Sequence, residues 1–231
     1  MPNDQHRARP QSPDQVRGRS FRTALSAETL SSIQTGALQT LYRDRGFLKS
    51  PFDVALYLQL IGRLRPASII EIGTKHGGSA LWFADQMTAH GLRARVVSVD
   101  LSPPADLSDA RIQFVAGDAH DLSAALTHDL LASLPHPWLV SEDSAHTFEA
   151  CTAVLRFFDN HLVVGDYIVI EDGVLSDMAE RHYETYEHGP NRAVERFLSE
   201  HVDTYEIDGA LCDFFGQNVT WNPNAWLRRA R

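Results

Sequence analysis

Residues 68–79 read Ser68-Ile69-Ile70-Glu71-Ile72-Gly73-Thr74-Lys75-His76-Gly77-Gly78-Ser79. An apolar run stops in a glycine-rich turn, and a helical pattern restarts at Ser79. A short run without polar alternation predicts a strand buried on both faces, as in a parallel sheet covered by crossover helices. Glycines in such a turn let backbone N–H groups approach a ligand that side chains would block, and the helix that follows offers unpaired N–H groups of its own. Glu71 stands just before the first glycine. A carboxylate there suits a ligand ammonium and has no use in a turn built for pyrophosphate. The spacing Gly73-x-x-x-Gly77 also departs from the Gly-x-Gly-x-x-Gly dinucleotide fingerprint, which weakens a nicotinamide reading without eliminating it. The stretch points to S-adenosylmethionine.

Outward from this stretch, strands and helices alternate. Upstream, Ser50-Pro51-Phe52-Asp53 reads as a helix start, with Ser50 at the N-cap, Pro51 at the first helical position and Asp53 completing an acidic capping pair. Leu25–Leu41 is weakly helical in pattern. Residues 1–24 are polar, contain prolines and carry Arg7, Arg9, Arg17, Arg19 and Arg22; they are expected to form a disordered tail before a single domain over 25–231. Downstream come a helix over Ser79–His90 and strands at Arg95–Val99 and Ile112–Val115. A helix over Leu122–Leu134, a strand at Trp138–Ser141 and a helix over Thr147–Asp159 follow, then a strand at Tyr167–Ile170 and a helix over Asn191–His201. Thr204–Ile207 and Gly216–Trp221 have β character and are expected to close the sheet as an antiparallel hairpin. The reading is a doubly wound α/β domain, with residues around 173–190, including Tyr183, Tyr186 and His188, as a lid over the site.

Composition narrows the function classes. The 231 residues are 43% hydrophobic and 22% charged, as in an ordinary globular domain. A net charge of −9 argues against a nucleic-acid surface. No apolar run approaches the length of a membrane span, and the arginine-bearing N-terminus lacks the apolar segment of a secretory signal. Cys151 and Cys212 are far apart and unpaired in spacing, which predicts a reducing cytoplasm.

In a doubly wound sheet, ligands sit at the carboxyl ends of the strands near the reversal of strand order. The turn residues Glu71, Gly73, Lys75, Gly77, Gly78 and Ser79 lie at the first such end. Asp100 ends the second strand, where a ribose diol needs a bidentate acceptor. Asp118 and Ala119 follow the third, placed to accept from an adenine amino group. The fourth strand runs into Ser141-Glu142-Asp143-Ser144-Ala145-His146 and the fifth into Glu171-Asp172-Gly173. Asp143, beside the cofactor, is then expected to converge with Glu171 and Asp172. Three gathered carboxylates repel one another unless a cation joins them. Oxygen ligands select a hard ion, Mg²⁺ first, which would lower the pKa of a bound substrate hydroxyl. His146, three residues past Asp143, is suited to take that proton. Lys49 and Lys75 flank the entrance and read as surface lysines, and His120, His128, His161 and His182 as solvated.

At these residues the chain resembles the cephalosporin hydroxylase-like family of S-adenosylmethionine-dependent proteins, and is similar to metal-dependent macrolide-sugar O-methyltransferases. The matching pieces are Glu71–Ser79, Asp143-Ser144-Ala145-His146, Ile170-Glu171-Asp172, Gly189-Pro190-Asn191 and the tail Asn222-Pro223-Asn224-Ala225-Trp226-Leu227-Arg228-Arg229. The resemblance implies a class I methyltransferase fold, a seven-stranded mostly parallel sheet with an N-terminal helical extension. It implies Asp143, Glu171 and Asp172 as Mg²⁺ ligands, His146 as general base, and a homo-oligomer. The segment Val174–His188 and the short N-terminal part depart from the family and would cover the acceptor, so the resemblance does not transfer the substrate. The reading preferred here is an O-methyltransferase acting on a hydroxyl of a small natural product, a sugar-bearing one among the options. Two other readings stand beside it. One is an oxidoreductase of the cephalosporin-hydroxylase type, for which His120-Asp121 and His128-Asp129 offer ligands. The other is a non-catalytic S-adenosylmethionine-binding subunit.

Overall fold

The structure, a computed structural model, describes residues 18–231. In chain order the elements are α1 (Ala27–Ala37), a short hairpin of β1 (Leu41–Tyr42) and β2 (Arg45–Gly46), α2 (Pro51–Leu64), β3 (Ser68–Ile72), α3 (Gly78–Ala89), β4 (Val96–Asp100) and β5 (Ile112–Ala116). There follow α4 (His128–Ala132), β6 (Trp138–Glu142), α5 (Phe148–Asp159), β7 (Tyr167–Ile170), α6 (Gly189–Glu200), β8 (Tyr205–Ile207), α7 (Gly209–Cys212) and β9 (Trp226–Arg229).

Seven strands form one sheet in the order β5-β4-β3-β6-β7-β9-β8. The five strands from β5 to β7 run parallel, and β9 pairs antiparallel with both β7 and β8. Every residue of β3 and β6 is buried, so both faces of the central strands are covered, as their unbroken apolar runs predict. Strand order reverses between β3 and β6, which puts the ligand crevice at their carboxyl ends. The start of α2 follows its sequence signals: Ser50 Oγ accepts from Asp53 N at 3.1 Å and donates to Asp53 Oδ2 at 2.6 Å. The helix lays Leu56, Tyr57, Leu60 and Ile61, none of them exposed, into the core. Each such side chain stabilises the fold by about 1.5–3 kcal/mol.

Three expectations are corrected. The closing strand is β9, not Gly216–Trp221. Between residues 216 and 225 the buried polar side chains bind partners elsewhere in the fold, backbone groups among them, in competition with a strand ladder. Asn218 Nδ2 donates to Ser20 O at 2.7 Å, Asn222 Oδ1 accepts from Asp172 N at 3.1 Å, and Thr220 Oγ1 donates to Asp53 Oδ1. The helix expected over Leu122–Leu134 is only α4. Asp121 turns the chain first by accepting from Ser123 N and Oγ, and the Thr127 side chain caps the fresh start by accepting from Leu130 N. The expected tail is anchored from Arg19 onward. Arg19 grips Asp213 through two N–H groups at 2.9 and 2.7 Å, and Ala24 N donates to Gln217 O. The remainder of that segment lies outside the described residues.

Candidate active site

A cavity of about 530 Å³ opens where the carboxyl ends of β3, β4 and β6 meet. Its base is the turn after β3. Asp100 Oδ2 accepts from Thr74 N at 3.0 Å and Lys75 N at 2.8 Å, while Oδ1 accepts from Ser102 N at 2.8 Å. One carboxylate thus holds the turn and still presents its edge to the cavity. Gly73, Lys75, Ser79, Asp100, Asp118 and Ala119 all line it. Asp118 is exposed and accepts from His120 N and Nδ1 at 2.9 and 2.8 Å, contacts that hold its pKa below the usual carboxylate value. His120, expected to be only solvated, lines the same wall.

The other turn residues meet protein atoms instead. Glu71 is fully buried and does not line the cavity. Its Oε2 accepts from Thr74 Oγ1 at 3.0 Å and from Ser98 Oγ, so it ties the turn to β4. Its Oε1 has no partner among the described residues. Burial raises its pKa, against Lys49 and the hydroxyl donors. Gly77 caps α3 in the left-handed region at φ 80°, where a Cβ would strike Leu107 Cδ2 at 2.4 Å. At Gly78 a Cβ would lie 2.2 Å from Gly46 O. These two glycines let β2 and the 104–107 loop close over the start of α3.

Beside the turn, Asp143, His146 and Asp172 bring donor atoms to within 4.8 Å of one another. His146 Nε2 lies 3.4 Å from Asp172 Oδ2 and 3.9 Å from Asp143 Oδ1. Both His146 (φ 55°) and Asp172 (φ 63°) hold left-handed backbone, an uncommon region that Asp and His enter more readily than other non-glycine residues. His146 Nδ1 is buried and has no partner among the described residues, and the Tyr186 ring meets the imidazole edge-on at 5.6 Å. Burial pushes the Asp172 carboxyl up despite His146.

Glu171, expected in the metal set, stands outside this group. Its Oε1 accepts from Lys49 Nζ at 2.6 Å, Tyr57 OH at 2.8 Å and Ser141 Oγ. Lys49 is not a surface residue: its side chain is 2% exposed, and Nζ also reaches Asp143 Oδ2 at 2.7 Å. Burial pulls its pKa down, but the charges of Asp143, Glu171 and Glu71 outweigh that and raise it.

The far wall is the lid. A satellite core of Leu30, Val174, Leu175, Met178 and Trp221, with Tyr183 and Tyr186 against it, sits apart from the main core. Helix α1 pins it: Ser31 Oγ donates to Glu180 Oε2 at 2.7 Å, and Gln34 Oε1 accepts from Trp221 Nε1 at 2.8 Å. Gln34, Leu38, Leu175, Tyr183 and Tyr186 face the cavity, whereas His188 caps α6 outside it. Gln34 and Leu38 carry no chemical motif, and only their place in the weakly helical segment Leu25–Leu41 at the start of the domain hints at them.

A model of the rhamnosyl O-methyltransferase/CmcI family matches residues 36–230. A rhamnosyl O-methyltransferase of Mycobacterium bovis is 30% identical over 196 residues, covering 83% of this chain and 78% of that protein. Its counterpart in Mycobacterium leprae is 31% identical over 187 residues, covering 79% and 80%. Among solved structures, CmcI described with Mg and SAM superposes with a TM-score of 0.65 at 23% identity, covering 100% of this chain and 89% of that one, a likeness of fold.

Proposed function

The chain belongs to the rhamnosyl O-methyltransferase/CmcI family, and on that premise we propose that it is an S-adenosylmethionine- and Mg²⁺-dependent O-methyltransferase acting on a hydroxyl of a small, sugar-bearing natural product. The observation that carries the reading is the Asp143–His146–Asp172 cluster on the wall of the cavity at the reversal of strand order. The residues fit both groups. Two carboxylates beside a third suit a hard cation. Glu71 is sealed beneath Thr74 and supports the turn without reaching the cavity, so its charge acts on a ligand ammonium only through that turn, while Asp100 and Asp118 line the cavity and suit a ribose and an adenine. Asp143 and Asp172 would hold the cation, with Glu171 adding charge from beneath. When bound, the cation lowers the pKa of a substrate hydroxyl and the sulfonium provides a reactive methyl.

The chain's own residues do the rest. His146 Nε2 takes the hydroxyl proton, and Asp172 at 3.4 Å stabilises the imidazolium that results. Tyr186 holds the ring against rotation. The lid excludes water, and Tyr183, Tyr186 and Gln34 offer the rings and amide that bind a sugar. Holding the acceptor in line with the methyl supplies much of the rate. Cys151 and Cys212 are buried free thiols, in keeping with a reducing cytoplasm. A homo-oligomer would cover the exposed Phe214 and Phe215. Among the described residues no helix is long and apolar enough to cross a membrane. The hydroxylase reading loses support because the cluster holds one histidine, where a two-histidine iron triad needs a second.

The test is methyl transfer from labelled S-adenosylmethionine to deoxysugar-bearing acceptors, with calorimetric binding of the cofactor beside it. Chelator is expected to stop transfer and spare cofactor binding; full turnover in chelator would sink the metal-assisted reading. His146→Ala is expected to cut turnover by roughly 100-fold or more, as for a lost general base, with cofactor affinity unchanged. Full activity in that variant removes His146 from the mechanism.

A further inference from the structure

Lys49 enters the site from the loop between β2 and α2, one residue before the helix cap Ser50. Its ammonium bridges Asp143 and Glu171 at 2.7 and 2.6 Å, with the Tyr57 ring centroid 6.0 Å away. Among the described residues Glu171 has no other cation against it; Tyr57 and Ser141 donate to the same Oε1 as neutral groups. Asp143, Asp172 and Glu171 with the Lys49 ammonium leave a surplus of two negative charges at the cavity wall when all are ionised, the charge that one divalent cation balances; Glu71, which also acts on Lys49, lies sealed beneath the turn and outside that group. A buried carboxylate left without a counter-charge is strongly destabilising, whereas a paired one is tolerated.

We propose that Lys49 is the built-in counter-ion of the site, a positioning residue that holds Asp143 and Glu171 together without metal and weakens the site's affinity for the divalent cation. The proposal rests on the metal-site reading above. Its physical content is a negative coupling: the ammonium and the metal ion both bind Asp143, so each raises the free energy of the other. In exchange for weaker metal binding, the acid cluster keeps its shape when metal is absent.

The experiment titrates Mn²⁺ into the full chain, followed by electron paramagnetic resonance, and records melting in chelator and in excess Mg²⁺. Lys49→Met removes the charge, and Lys49→Gln removes it while keeping an N–H donor on a side chain one atom shorter. Both are expected to bind Mn²⁺ about tenfold or more tightly than the wild type, the order of magnitude of one charge removed at close range. Both should also gain more melting temperature from Mg²⁺ than the wild type does. Equal or weaker Mn²⁺ binding by both variants overturns the proposal, as does a loss of stability that is the same with and without Mg²⁺. Should either variant be unfolded in chelator, Mg²⁺ is expected to restore its near-UV circular dichroism, and no recovery counts against the proposal. Failure of the wild type to bind Mn²⁺ at all would instead overturn the metal-site reading, and this inference with it.

Discussion

Asp143→Asn is expected to lower methyl transfer by about 1000-fold or more while leaving the fold and cofactor binding close to wild type. Metal assistance is worth several kcal/mol, and each 1.4 kcal/mol is a factor of ten in rate. Asparagine keeps the shape of the side chain and loses the charge that gathers a cation with Asp172. The Lys49–Glu171 pair beneath is left intact, with Tyr57 and Ser141 still donating to Glu171. Lys49 loses only one of its two acidic partners. The backbone link Asp143 N to Ile72 O at 2.8 Å does not depend on the side chain. The melting temperature should therefore stay within a few degrees, Mn²⁺ binding should vanish at concentrations that saturate the wild type, and calorimetry should still report S-adenosylmethionine. A variant that turns over at a tenth of the wild-type rate or better would take Asp143 out of the chemistry.

What was legible in the chain was local. The strand Ser68–Ile72, the turn after it and the Ser50 cap of α2 depend on neighbours within a few residues, and the structure carries them within a residue of the expected bounds. The convergence of Asp143 with Asp172 was also readable, because parallel strands β6 and β7 are adjacent and the two acids follow their ends by one and two residues. Illegible features depend on contacts across the fold. Lys49 reads as a surface lysine until α2 packs Tyr57 against Trp226 and draws the preceding residue under Asp143. Glu171 and Asp172 are consecutive just past the end of β7, and the left-handed turn of the backbone at Asp172 (φ 63°) sends their side chains to different neighbours. One goes down to Lys49 and the other out to the cavity. The tail between residues 216 and 225 has strand composition, but its asparagines find backbone partners that only the folded chain supplies.

The same limit governs the glycine that opens the turn, and Gly73→Ala tests it. On sequence alone Gly73 leaves room for a ligand, and alanine there would weaken cofactor binding with little effect on stability. The structure gives the missing side chain another neighbour. Gly73 has φ 97°, a conformation that L side chains rarely adopt, and a Cβ would fall 2.1 Å from Asp143 O and 2.6 Å from Asp143 C. Those are backbone atoms in the chain leaving β6, which cannot swing aside as a flexible side chain can. Gly73 N is meanwhile fixed to Val99 O at 2.8 Å, and Asp143 N to Ile72 O at 2.8 Å, so neither strand end is free to retreat. Alanine must distort the turn, open the β3–β6 junction or both, at about 3 kcal/mol, the scale of strain at a special backbone position. For a chain of this size that is a fall in melting temperature of roughly 6–12 °C. Because the displaced atoms belong to Asp143, metal binding and turnover should fall together with stability, unlike Asp143→Asn, in which turnover falls and melting does not. A Gly73→Ala protein that melts with the wild type and loses only cofactor affinity would return Gly73 to the ligand and remove it from the strand junction.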